Sequence, residues 1–327
     1  MRGRIISGKI AWWVSAIALV TGLAQNANAG GAWVPKPKDG YISLGFSQKT
    51  ANKVWDGKGK DLVTRNGAGL AHYHDFRYAY LNGEVGVLPR TSVTFLMTYL
   101  WGFEGYKVPG YEKNFGLSDA WIGAKFRLRS LETAWPAAVR VTVRTPFFYD
   151  QDGPYVRHLY NKEPYRLPNG TVDPDTTFLV INNPEWRGLN RHDVTIAPML
   201  SHSFTMFKGW TNLDIGFTWR QGAPADEIPI NWDMGYGLPI QSATIYIKAA
   251  TNMVFTLGNK SISDPSDRFN FPPGFRYDFN KASMIRGALS VLWAFKGAYV
   301  EAGYGQWVWG RGARQYKEPF LNIGRGF

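Results

Sequence analysis

Residues 298–310 read AYVEAGYGQWVWG, residues 311–317 read RGARQYK, and residues 318–327 read EPFLNIGRGF. Two segments of alternating polarity flank a short polar tip, which predicts a β-hairpin whose second strand ends the sequence. In that strand Leu321, Ile323 and Phe327 share one face, while Asn322, Gly324 and Gly326 share the other. A free edge of this kind invites aggregation, so another strand has to close on it. Such an ending suits the last strand of a transmembrane β-barrel, with Phe327 as its closing terminus.

Working outward, the opposite end of the chain agrees. Arg2, Arg4 and Lys9 precede an apolar run from Ile10 to Ala24, and Ala27-Asn28-Ala29 supplies a small-x-small site. This predicts a signal peptide over residues 1–29, cleaved after Ala29, and a mature barrel over residues 30–327. The apolar run is shorter than the roughly 20 residues a membrane-spanning helix needs. Later membrane residence must therefore come from strands.

Composition narrows the class. The chain has 327 residues, of which 16% are aromatic, with a mean hydropathy of −0.26. Such aromatic content suits interfacial girdles better than a soluble core. Cysteine is absent, so no disulfide staples the fold. The formal charge of +12 is spread along the chain without a Lys/Arg run, which argues against a nucleic-acid partner.

Between the ends, period-two alternation recurs. Ile42, Leu44 and Phe46 share a face; so do Val93, Phe95, Met97, Tyr99 and Trp101. Ala120, Ile122, Ala124, Phe126 and Leu128 alternate with Asp119, Lys125, Arg127 and Arg129, and Val139, Val141 and Val143 alternate with Arg140, Thr142 and Arg144. Similar stretches follow near 194–204, 211–220, 228–236, 244–255 and 285–293. The segment before Val87 changes parity near Asn82-Gly83, which predicts a bulge or a break there. The connections alternate between short turns (Leu88–Arg90, Ser130–Pro136, Phe207–Trp210, Leu238–Ile240, Phe295–Gly297) and longer loops, the longest being Tyr149–Leu189. About twelve antiparallel strands, closed on themselves, fit this rhythm better than a soluble sandwich. The expected fold is all-β, a closed barrel with no plug domain. Its short turns and amino terminus should face the periplasm, and its location should be the cell outer membrane.

Three motifs then carry a resemblance. The stretches GAWVPKPKDGYISLGF, GLSDAWIGAKFRL and GYGQWVWGRGA resemble outer-membrane transporters grouped as the "MetA-pathway of phenol degradation" family. These are similar in turn to barrels that take up long-chain fatty acids and aromatic hydrocarbons. The resemblance implies passive passage of small, aromatic or hydrophobic molecules, and it implies that Phe327 is read by the barrel-insertion machinery. Fatty-acid-type transporters carry an amino-terminal hatch. Here only about ten residues separate Ala29 from the first strand, too few for one.

A charge facing lipid costs about 2–4 kcal/mol at the midplane, so the charged positions should face the lumen. The expected basic ladder is Lys125, Arg127, Arg129, Arg140 and Arg144, with Arg127 opposite Arg140. Other lumen charges are Asp119, Asp193, Asp214, Arg220, Asp233, Lys248, Arg286 and Glu301. Two readings stand: a network of ion pairs filling the lumen, or a positive wall with a mild anion preference. The loop 149–189 either folds inward or caps the barrel outside. The five histidines (His72, His74, His158, His192, His202) form no hydrolase or metalloenzyme motif, so no catalytic role, cofactor or metal is expected. A barrel for surface-polymer export is the alternative to a channel, and an outer-membrane enzyme a third reading.

Overall fold

A computed structural model describes residues 31–51, 53–55, 61–63, 73–105, 114–130, 132–146, 192–204, 208–221, 225–240, 243–258, 283–311 and 313–327. The loop 149–189, His72 and His158 lie outside these residues, as does the segment before Gly31.

The barrel strands are β1 (Gly40–Ala51), β4 (Tyr73–Leu88), β5 (Thr91–Gly105), β6 (Asn114–Arg127), β7 (Ala137–Thr145), β8 (Asp193–Phe204), β9 (Lys208–Ile215), β10 (Phe217–Arg220), β11 (Glu227–Ile240), β12 (Ala243–Thr256), β13 (Ser283–Phe295), β14 (Ala298–Arg311) and β16 (Lys317–Gly326). Apart from β9 and β10, each pairs antiparallel with the next, and β16 returns to β1. β9 and β10 are one stave interrupted at Gly216, because both pair with β8 and β11 in a single register. The sheet is thus a closed ring of twelve staves without a free edge. The seal matches the face assignment: Leu44 sits across from Ile323 and Phe46 across from Leu321. Phe327 completes it, its N–H donating to the Gly40 carbonyl and its carbonyl accepting from Gly40 N–H, both at 3.0 Å.

The alternation sorts side chains between two solvents. Ile42, Leu44, Phe46, Ile122, Val141, Ile196, Phe217, Ile247, Leu289, Val291 and Ile323 are all exposed on the outer wall. An apolar surface that encircles the molecule is far larger than soluble proteins tolerate. It is a surface for lipid, and closure satisfies the backbone there. The barrel spans a membrane.

Two turns show the local chemistry. Lys296 and Gly297, both at positive φ (43° and 74°), make the two-residue turn between β13 and β14, the mirror-image type that matches strand twist. Pro89-Arg90 similarly joins β4 to β5. Three expectations need correction. β9 already begins at Lys208, so Lys208 to Trp210 lie in a strand and not in the turn read at Phe207–Trp210. β4 runs through Asn82-Gly83 unbroken, and its irregularity lies between Gly86 and Leu88, where the strand leaves the wall. β11 likewise continues through Leu238–Ile240, so the turn falls after Ile240. Pro239 is tolerated at this strand end because little ladder follows it.

At the loop end, β2 (Lys53–Trp55), β3 (Asp61–Val63) and β15 (Ala313–Arg314) form a small separate sheet. The hairpin tip read as a polar loop therefore carries a strand. It buries Trp55 and Ala313 against Trp307, with Met284 and Tyr316 packed alongside.

Candidate functional site

The lumen is the candidate site, and its charges come from every part of the wall. Lys125 on β6 and Arg140 on β7 are directly opposite one another. Adjacent like charges repel, and each is held by its own carboxylate. Lys125 Nζ donates to Glu84 Oε2 at 2.7 Å, and Arg140 Nη2 donates to Asp214 Oδ2 at 3.2 Å. Nearer the loop end Arg144 pairs with Asp193 and lies 3.8 Å from Asp119. Arg220 lies 3.6 Å from Asp193 and 2.5 Å from Glu227. On the facing wall Lys248 meets Glu301 at 3.3 Å, and Arg286 meets Glu318 at 2.8 Å, with Lys49 3.7 Å from the same carboxylate. Asp233 accepts from Trp210 Nε1 and Asn212 Nδ2. Each of these lumen cations thus faces a carboxylate. This geometry favours the ion-pair network over a positive wall.

Arg127 and Arg129 lie elsewhere. β6 places Arg127 across from Ala138, not Arg140, on the same inward face as Lys125 but at the turn-end mouth, and Arg129 follows the end of the strand. β6 ends at Arg127, so only Arg129 lies past the alternation read from Asp119 onward. Arg127 donates to the Pro89 carbonyl at 2.8 Å, and Arg129 is exposed.

The lead before β1 is the feature that sequence reasoning undervalued. Residues 31–34 enter the lumen at the turn end. Lys125 Nζ donates to the carbonyls of Gly31 and Trp33 at 3.1 and 2.9 Å, and Ala32 N–H donates to Ser201 Oγ at 2.6 Å. Ser201 in turn donates to Asn212. Ala32 and Val34 pack with Ala138 and Met199 in a small buried apolar cluster. Gly31 has φ +66°, and a Cβ there would run into Asn212 and Ser201, so only glycine fits the approach. Within the described residues, 31–34 occupy part of the turn-end mouth. The one signal for it was the small, alternating Gly-Ala-Trp-Val run itself.

Between the ion pairs the lumen wall is aromatic. Trp121, Trp210, Tyr246, Tyr80, Phe320 and Trp307 occupy inward positions beside charged or small neighbours. Trp210 and Tyr246 meet edge to face with centroids 4.9 Å apart. Gly235 lies under the Trp210 ring, where any side chain would collide. Tyr80 donates to Asn322, which donates to Glu301 at 3.0 Å. Arg144 and Arg286 lie over Trp121 and Trp307 at 5.8 and 5.5 Å.

His202 and His192 lie away from this lumen network, and the side chain of His74 lies outside what the structure describes. His202 is on the outer face of β8, stacked on Trp135 at 4.4 Å, with Nδ1 donating to the Ala134 carbonyl at 2.6 Å. His192 is exposed at the start of β8. Among the described residues no three His, Cys, Asp or Glu side chains are arranged to hold a metal ion.

No protein-family model matches the chain, and no curated protein matches its sequence. Among solved structures, it is similar to an outer membrane channel from Pseudomonas putida F1, with a TM-score of 0.58 at 10% identity over 92% of this chain and 100% of that one. Looser likenesses are the translocator domain of autotransporter NalP from Neisseria meningitidis (TM-score 0.40, 7% identity, 98% of this chain and 96% of that one) and the CymD monoaromatic hydrocarbon channel (TM-score 0.38, 10% identity, 95% and 97%). The first shares the fold; the other two are too distant to inform function.

Proposed function

We propose that the protein is an outer-membrane channel for passive passage of small, flat, apolar or aromatic molecules. The observation that carries this reading is the lumen wall, on which aromatic rings alternate with charges already compensated by near neighbours. Such a wall offers stacking faces to a planar solute, while an ion entering it meets no uncompensated field. The lead beside Lys125 narrows the turn end and limits the size of what passes. The signal segment, the short-turn periplasmic side and the sequence resemblance to phenol-pathway transporters are consistent with this reading, as is the fold shared with the Pseudomonas putida channel.

Swelling of proteoliposomes in sized sugars and in aromatic acids tests it. The expected result is faster swelling in an aromatic acid than in a sugar of similar mass. Flat rates across the panel, at the level of empty liposomes, would favour an envelope scaffold or polymer-export barrel instead.

A further inference from the structure

We propose that the loop end of the lumen carries a subsite for an aromatic monocarboxylate, built on Lys49, Arg286 and the rings of Tyr78 and Phe320. It rests on the channel reading above and names the class of solute held there. Two cations meet on one carboxylate. Arg286 Nε donates to Glu318 Oε2 at 2.8 Å, and Lys49 Nζ lies 3.7 Å from Glu318 Oε1, beyond hydrogen-bond reach. Both cations also lie over the same indole, Lys49 Nζ and Arg286 Cζ each 5.5 Å from the Trp307 ring centroid. Glu318 and Trp307 thus gather into one cluster two side chains from β1 and β13, which stand three strands apart in the wall.

This cluster is short of one negative charge. Lys125, Arg140 and Lys248 each have a carboxylate of their own, and Arg144 and Arg220 share three. Here, among the described residues, Glu318 alone serves two cations. Arg286 is further held by Asn252, whose Oδ1 accepts from Nη1 at 2.9 Å. The Lys49 side chain is 29% exposed, and among the described residues no carboxylate is nearer to its ammonium than 3.7 Å. A carboxylate on Lys49 would restore the local balance through charge-assisted hydrogen bonds.

The adjoining row is made of rings. Phe320 on β16 and Tyr78 on β4 stand on either side of Ser47 on β1, because Ser47 pairs with both. Ser47 is small and buried, while the two rings are partly exposed. Gly303 and Gly305 on β14 let the Phe320 ring and the Arg286 guanidinium lie against the wall, where any Cβ would collide with them. The Lys49 ammonium is 4.8 Å from the Tyr78 ring centroid, so a carboxylate bound to it brings the solute's own ring to Tyr78. An aliphatic acid would use only the cation, and a neutral arene only the rings. An aromatic acid uses both.

The test is saturation-transfer NMR of the detergent-solubilised barrel at neutral pH, read against empty micelles, with benzoate, benzyl alcohol and acetate as probes. The intact barrel should bind benzoate about tenfold more tightly than either of the others, the step expected for one charge-assisted hydrogen bond. K49M should lose that preference with its affinity for benzyl alcohol unchanged, and K49R should keep it. Equal affinities for benzoate and benzyl alcohol overturn the proposal, as does a preference that survives K49M. Displacement of benzoate by equimolar acetate would show that the anion alone is recognised, and would overturn the aromatic assignment. If K49M fails to fold, K49Q is read in the same way. Binding is measured without passage, so the two readings fail separately. A benzoate preference in a barrel whose liposomes swell no faster than empty ones supports the subsite and sinks only the channel; swelling in aromatic acids without that preference sinks only the subsite.

Discussion

Lys125 shows how one residue ties the lead to the wall. Its ammonium is buried and satisfied by Glu84 and two carbonyls of the lead. Removing one partner of a buried pair costs about 3–5 kcal/mol, because the other charge is stranded. Lys125→Met is therefore expected to lower the temperature at which the barrel loses its compact gel mobility and to expose the lead to protease. Adding Glu84→Gln should restore much of the thermal stability, since a neutral amide is cheaper to strand, but not the protection of the lead. Recovery of both would mean that the carbonyl contacts of Lys125 contribute nothing.

At the scale of the strand, one face meets lipid and the next meets the polar lumen. Ile247 is 53% exposed on the outer face of β12. Ile247→Arg is expected to cost about 2–4 kcal/mol in folding equilibria measured by denaturant in lipid vesicles; no effect would mean that this face does not see the membrane core. In the closing strand, deletion of Phe327 removes the backbone pair with Gly40. It should reduce the yield of membrane-inserted barrel in cells while leaving the solute panel of the inserted fraction unchanged; a normal yield would contradict the closing role. Strands and their facing were legible because lipid enforces strict alternation, as in Val139–Arg144. Partner choice was not legible. Glu84, Glu227 and Glu318 are ion-pair partners only through register, and register depends on where turns start. A slip of two residues at β6–β7 put Arg127 opposite Arg140 in the sequence reading, where the structure has Lys125. The lead was missed for another reason: its burial comes from long-range contacts with Ser201 and Asn212, which no local pattern announces.

For the whole molecule, closure into twelve staves leaves a lumen whose described charges nearly balance. Lys49, Lys125, Arg140, Arg144, Arg220, Lys248 and Arg286 face Glu84, Asp119, Asp193, Asp214, Glu227, Asp233, Glu301 and Glu318. Positive charge is therefore compensated pairwise within this part of the lumen. On the function proposed above, what limits passage is the lead held by Lys125 and Ser201. Single-channel recording in planar bilayers, under a salt gradient, tests this account most directly when the intact barrel is compared with one lacking residues 31–38. The account predicts a small conductance for the intact chain, a several-fold larger one without the lead, and a reversal potential near zero for both. Equal conductances, or a strongly anion-selective potential in the intact channel, would contradict it.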